Sequence, residues 1–427
     1  MGRNLFYRRL VGSGNFTVPA GVKQIKIMSV LNSEKGISVY NSALIRNAAG
    51  NFFISGANGQ GGYGNNTVTA TSSPVIAHGG AKVVDFYNGD NSTSTLRADG
   101  RVFSSGDGSV GQMGDNSTTS KSNPVTVAGG HSFTKVRTAG FWTIALKSDG
   151  SFWGWSLNGT GTLGDGTTTD RSSPVQATGG HSFVDIASGQ SSSYGFKSDG
   201  SVWSTGANGN GQLGINTISN RSTFTQMLGG HSFTKIRANG AFAGLKANGE
   251  VWTCGANGNG TLGDGTTSNR STPVLVTGGH SFIDVQVGTG HMIGLKANGE
   301  AWVWGFGGNG ELGNLSTANR STPTLLLGHS FVEVAAGNSM TMGRKSDGTT
   351  WVWGTNGVGG IGDNTVTSRS TPVQQVGGRY ATSFGELLQH TVLQVVPGEV
   401  IPYNHFQRFF GSVVLDDCTE IILELFA

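Results

Sequence analysis

Apolar positions in this chain fall in short runs with weak two-residue alternation, and nothing in the pattern recurs at the three- and four-residue spacing of an amphipathic helix. The runs follow a fixed order. Gly-Gly-His-Ser-Phe opens a unit at His131, His181, His231 and His280, and Gly-His-Ser-Phe opens one at His329. An apolar stretch follows, then Lys-Ser-Asp-Gly or Lys-Ala-Asn-Gly. Next come an aromatic strand such as Val251-Trp252-Thr253-Cys254-Gly255, a Gly/Asn loop and Arg-Ser-Thr-Pro. The unit repeats every 49 or 50 residues. A period of that size marks a supersecondary module that buries its apolar face by stacking on its neighbours.

Moving the frame outward finds degenerate copies that open at Gly79-Gly80-Ala81 and at Gly377-Gly378-Arg379-Tyr380. Seven aromatic strands can then be counted, beginning near Phe52, Val102, Phe152, Val202, Val251, Ala301 and Thr350. Asp149-Gly150, Asp199-Gly200, Asn248-Gly249, Asn298-Gly299 and Asp347-Gly348 precede five of them and suit two-residue hairpin turns, which need positive φ. The expected fold is all-β: a seven-bladed β-propeller over residues 35–384, inserted in a small terminal β domain made of residues 1–34 and 385–427. Strands are expected at 16–27, 392–401, 412–415 and 419–426 in the flanks. Residues 377–384 should supply the missing first strand of the blade that holds Phe52 to Ser55, removing two open edges.

Trp252, Gly255, Asn257, Gly258, Gly260, Leu262, Gly263, Asp264, Gly265 and Thr266, followed by Arg270, Ser271, Pro273 and Val274, resemble the repeat of the regulator of chromosome condensation family. The resemblance covers roughly residues 36 to 384 and implies the propeller fold. Activities in that family are diverse, including nucleotide exchange on a small GTPase, chromatin binding and, in bacterial members, enzyme inhibition, so fold alone does not settle function. The flanks carry a second resemblance. Phe16-Thr17-Val18-Pro19-Ala20-Gly21-Val22 leading into Ile25-Lys26-Ile27, with Thr382-Ser383-Phe384-Gly385 and Val396-Pro397-Gly398-Glu399-Val400-Ile401, is similar to glycine-rich phage tail-fibre and tail-tip proteins. Where that family continues in glycines, this chain has Met28-Ser29-Val30-Leu31. The combination implies a virion protein that presents a propeller to the outside.

Composition narrows the partners. The 72 glycines are locked to the repeat and act as turn residues. With 12% charged residues and a formal net charge of +3 there is no basic footprint of the kind that phosphate neutralisation demands, so no nucleic-acid partner is expected. Arg3, Arg8 and Arg9 read as a solvated terminus. Cys254 and Cys418 cannot form a disulfide framework, and Cys254 stands where other copies have Trp155, Trp304 and Trp353, which makes it a core residue. Met1 to Phe16 lacks an apolar run, so neither a signal peptide nor membrane insertion is expected, and assembly would take place in the host cytoplasm.

Five histidines at one repeat position invite a metal-ring reading, but equivalent residues on successive blades are spread too widely to converge on one ion, and no metal is expected. Asp115, Asp165, Asp264 and Asp363 suit turn capping better than calcium, since each loop offers a single carboxylate. Arg171, Arg221, Arg270, Arg320 and Arg369, with Lys121 in the same place, are expected to bond between blades. No catalytic constellation or cofactor fingerprint stands apart from the repeat, so the chain is expected not to be an enzyme and to need no cofactor.

The copies diverge between the first apolar strand and the following lysine, where all corresponding loops share one propeller face. Candidate ligand-binding residues there are Phe141, Trp142, Gln190, Phe242, His291 and Met340. Trp142 leads, as the one tryptophan outside the strand pattern; the alternative is a plug in the central channel. The leading functional expectation is a virion component of the tail fibre or tail tip that binds a host-surface receptor, protein or glycan, through these loops. Its other partners would be tail proteins, with homo-oligomerisation open. The alternatives are a virion decoration protein, or a cellular regulatory or inhibitory propeller that binds a GTPase or an enzyme.

Overall fold

The computed structural model describes residues 92–337 except 140, residues 339–356, 361, 363 and 365–379, and several residues between 60 and 69. It also describes the strands Asn15–Thr17, Gln24–Ser29, Ser42–Arg46, Phe52–Gly56, Thr71–Ala77, Val83–Asn88, Thr391–Gln394 and Val400–Pro402. Among the described residues every helix or strand is a strand. They form six four-stranded antiparallel sheets, one five-stranded sheet and one two-stranded pair. Each four-stranded sheet follows chain order, as in Asp185–Ser188, Ser192–Phe196, Val202–Gly206 and Arg221–Gln226. The six begin at Val83, Lys135, Asp185, Lys235, Asp284 and Glu333, and each is referred to by that residue. First strands of successive sheets touch one another, so the first strand is innermost and the fourth outermost.

The described hairpins before the aromatic strands have three loop residues, not the expected two. Gly150 N–H donates to the Lys147 carbonyl at 3.0 Å and Lys147 N–H to the Ser151 carbonyl at 3.1 Å, which encloses Ser148, Asp149 and Gly150. Gly150 has φ +81°, whereas Asp149 stays at negative φ. A type I turn closed by one left-handed residue fits that pattern, while a two-residue mirror turn would need two. Asp149 Oδ1 also accepts the Ser151 N–H at 2.8 Å, which holds the turn from inside.

Two features stitch sheets to their neighbours, the first recurrent and the second present in three of the four-stranded sheets. A left-handed residue in the loop between the third and fourth strands donates its N–H to a serine carbonyl on the next sheet's fourth strand: Asn116 to Ser172, Gly166 to Ser222, Asn216 to Ser271, Gly265 to Ser321 and Leu315 to Ser370, all at 2.7–2.8 Å. The same loop lies flat on its neighbour, since a Cβ on Gly260 would come within 2.5 Å of Ser321 Cα. The second feature is an indole. Trp155, Trp304 and Trp353 are fully buried, and their Nε1–H groups donate to the preceding sheet's loop at Gln112, Thr261 and Glu311 carbonyls, at 3.2, 2.9 and 2.8 Å. Cys254 takes the indole position once and reaches the Gln212 carbonyl only at 3.5 Å. The Tyr194 hydroxyl, from the sheet that carries Gln212, donates to the same carbonyl at 3.0 Å. One substitution is thus compensated by another, and Tyr194 packs on Phe242 with ring centroids 5.3 Å apart.

Closure differs from the sequence expectation. Arg369–Arg379 is a single strand of the Glu333 sheet, with Arg379 opposite Thr349, so Gly377 and Gly378 extend a fourth strand instead of turning into a new first one. In the complete copies His-Ser-Phe after the glycines anchors the chain by stacking on a tryptophan; Arg379-Tyr380 offers no such ring at the histidine position. Residues 380–384 lie outside the described residues. The place beside Ser42–Arg46 is taken by Gln24–Ser29 from the other end of the chain, with Met28 opposite Leu44 and Ser29 opposite Ala43. Thr391–Gln394 pairs on the other side of Gln24–Ser29, and Val400–Pro402 pairs with Asn15–Thr17. The expected strands at 412–415 and 419–426 lie outside the described residues.

Tyr194→Phe should lose about 0.5–1.5 kcal/mol of stability in urea unfolding, the usual net worth of one hydrogen bond, since Cys254 alone would then serve the Gln212 carbonyl. A change below about 0.5 kcal/mol, the range of an indifferent surface substitution, would show that the Gln212 carbonyl does not depend on the hydroxyl.

Candidate functional site

The repeat-locked polar residues are engaged by the fold. The His131 ring lies 4.2 Å from the Trp153 ring, Lys147 Nζ is 3.0 Å from His131 Nδ1, and the same ammonium sits 4.1 Å over the indole. His181, His231, His280 and His329 stack on Trp203, Trp252, Trp302 and Trp351 at 4.1–4.8 Å, with Lys197, Lys246, Lys296 and Lys345 over those indoles. Burial, and then the neighbouring lysine, lower the pKa of each of these histidines. Among the described residues no three His, Cys, Asp or Glu side chains gather as a metal site.

The loop between the third and fourth strands is held by a side-chain clamp. Asn158 Nδ2 donates to the Thr167 and Thr169 carbonyls at 3.1 and 3.2 Å, while its Oδ1 accepts the Leu163 N–H at 3.0 Å. Asp165 accepts the Thr167 N–H at 3.0 Å and Arg171 Nε–H at 2.7 Å. Burial pushes the Asp165 carboxyl up, but the bonds from Thr167 and Arg171 outweigh it and leave the group below the ordinary aspartate value. Asp264 with Arg270 and Asp363 with Arg369 repeat the arrangement. Arg171, Arg270 and Arg369 therefore close their own loops, where the sequence suggested bonds between blades. An arginine six residues after the aspartate reaches back across the loop, and the contact to the next sheet is left to backbone groups.

The six candidate positions separate by exposure. Phe141 is 39% exposed, Gln190 is exposed and Met340 is half-buried. Trp142 is only 4% exposed, and Phe242 and His291 are fully buried, so these three are corrected from surface candidates to core residues. The turn is shorter than the sequence reading assumed: Ala139 is already opposite Trp142, which makes Trp142 the first residue of the strand Trp142–Leu146. Its side chain joins a core cluster with Ile144, Leu163, Phe183 and Ile186. Phe242 packs with Tyr194, Phe233 and Cys254. His291 Nε2 lies 2.8 Å from Thr341 Oγ1, and Thr341 Oγ1–H in turn donates to the Glu311 carbonyl at 2.8 Å, which links the Asp284 and Glu333 sheets.

Phe141 and Gln190 remain at one end of adjacent sheets, where the first turn and the loop between third and fourth strands lie together. Sequence reasoning missed a second departure at that end. In the Asp284 sheet Gly307 stands at the clamp asparagine position, Asn314 at the aspartate and Leu315 at the glycine, and Leu315 is 82% exposed. The signal was present as a break in Gly-Asp-Gly-Thr.

His291 gives a pH prediction. Burial lowers its pKa to about 4, whereas the unfolded value is about 6.5. Between those values the unfolded chain binds more protons than the folded one, so stability falls as pH falls through that window, by roughly 3 kcal/mol for this group. The half-buried histidines shift in the same direction, so the test is a difference. His291→Gln should reduce the pH-dependent loss by about that amount in urea unfolding at pH 7.5 and 4, and equal losses in both proteins would refute it.

The family model "Regulator of chromosome condensation (RCC1) repeat" matches residues 248–295 and 298–343. No curated protein matches the chain in sequence. Among solved structures, human WBSCR16 superposes with a TM-score of 0.63 at 16% identity, covering 87% of this chain and 98% of that one. Yeast RCC1 (Prp20), in a structure bound to Kap60, gives a TM-score of 0.63 at 16% identity over 89% of this chain and 91% of that one. Prp20p from Saccharomyces cerevisiae, in a structure reported with its binding properties to Gsp1p and histones, gives 0.61 at 17% identity over 89% and 93%. The chain carries RCC1 repeats on an all-β fold like that of these propellers.

Proposed function

We propose that this chain is a seven-bladed, non-enzymatic propeller that binds a protein partner through the end carrying Phe141 and Gln190, in the manner of a cellular regulatory or inhibitory propeller acting on a GTPase or another enzyme. One observation carries the reading. The polar groups that recur with the repeat are largely taken up by stacking, clamping and loop closure, while at this end an aromatic side chain outside the repeat pattern stays exposed. A rigid scaffold with variable exposed loops is the usual arrangement for recognition. The likeness to Prp20p, a protein whose structure is described together with binding to Gsp1p and histones, supports a macromolecular partner. In this reading Gln24–Ser29 is the first strand of the seventh blade.

A second reading, the virion receptor-binding protein, is favoured by the tail-fibre-like sequence of the flanks, whose strands Asn15–Thr17 and Val400–Pro402 pair with each other. It uses the same loops on a different target, with the terminal strands docking to other tail proteins.

Purified protein should capture a specific partner from a cell lysate, and Phe141→Ala should weaken that complex by about 2 kcal/mol, roughly thirtyfold, as for an aromatic anchor at an interface centre. The fold should be unaffected by circular dichroism. Saturable attachment to intact cells without capture from lysate would favour the virion reading, and undiminished capture by Phe141→Ala would remove that residue from the interface.

A further inference from the structure

The loop of the Asp284 sheet departs from the repeat at two positions that leave an apolar side chain and, five residues further along the chain, a charge exposed to solvent. In three other copies an aspartate holds the arginine six residues later at 2.6–2.7 Å: Asp165 with Arg171, Asp264 with Arg270 and Asp363 with Arg369. Here the residue is Asn314, and Arg320 is exposed with no carboxylate partner among the described residues. Leu315 takes the next position, where the corresponding residues are Gly166, Gly265, Asn116 and Asn216. It is held at φ +65°, with its N–H fixed to the Ser370 carbonyl at 2.8 Å and its side chain 82% exposed. A leucine is poorly suited to left-handed backbone, and an exposed one returns nothing to the fold. Places where a local rule is broken without structural gain are where function is to be sought.

We propose that Leu315 and Arg320 form a docking surface for an acidic segment of a protein partner in which a carboxylate stands beside an apolar side chain. The guanidinium donates to a partner carboxylate that stands in for the one Asn314 does not supply, in the two-bond geometry that arginine favours. Leucine covers the adjoining apolar group. The inference rests on the protein-binding reading and deepens it, since this loop lies at the same end of the sheets as Phe141.

The test uses the full chain and a fluorescein-labelled peptide of alternating glutamate and leucine, read by fluorescence anisotropy. Saturable binding is expected, weakened at least tenfold by Arg320→Gln and at least fivefold by Leu315→Asn. Leu315→Asn should at the same time raise the unfolding temperature, because asparagine suits the left-handed position; a residue with a purely structural role would not lose binding while gaining stability. Arg221→Gln is the comparison, since Arg221 also lacks its aspartate, with Ile215 in that place, but its loop keeps the pattern residue Asn216 where Leu315 stands; it should leave binding unchanged. Absence of saturable binding, equal binding of a lysine-leucine peptide, or an equal loss in Arg221→Gln would overturn the proposal. Partner capture that depends on Phe141 but is indifferent to Arg320→Gln and Leu315→Asn would also overturn it while leaving the broader reading in place. Failure of all capture would count against that broader reading, and the peptide result would still decide this one.

Discussion

A backbone N–H turned sideways by left-handed geometry, donating to a serine carbonyl on the neighbouring sheet, is the constraint on which the rest depends. It recurs from Asn116 to Leu315 at nearly constant length. Each sheet is small and has two faces to bury, so it gains stability only when the next sheet is held at a fixed distance. The glycine-dense loop sets that distance, because any Cβ at Gly260 or its equivalents would strike the neighbour's backbone. Close approach then brings the indole of Trp304 or Trp353 within reach of a carbonyl on the preceding sheet.

The same constraint explains where polar chemistry is absent and where it remains. Loops that must lie flat on a neighbour need every backbone group satisfied, and Asn158, Asp165 and Arg171 are spent on that task. The histidines are spent on stacking against tryptophan under a lysine. What is left for the proposed recognition is whatever interrupts these patterns. Phe141 interrupts the short turn at the inner strand, and Leu315 with Arg320 interrupts the outer loop. The likeness to Prp20p and WBSCR16 at 16–17% identity fits this division, since a scaffold held by backbone bonds and a few clamp residues tolerates wide change elsewhere.

By itself the sequence determined the all-β class, the repeat length, the places of the aromatic strands and the burial of Cys254, because a 49- or 50-residue period with fixed turn residues admits few other arrangements. It also marked His, Asp and Arg as structural residues, although it assigned the arginine bond to the wrong partner. Tertiary structure decided the rest. Whether Trp142 lies in a turn or begins a strand depends on the pairing of Ala139 with Trp142, which shifts the residue from solvent into the core. Whether Gly377-Gly378 turns or continues depends on what lies opposite, and Thr349 was still available for pairing with Arg379. The strand beside Ser42–Arg46 is Gln24–Ser29, which precedes the repeat frame and carries none of its marks, so no repeat pattern records that it will fill this edge. Exposure of Leu315 likewise follows from a neighbouring backbone that fixes its N–H and leaves its side chain nowhere to pack but solvent.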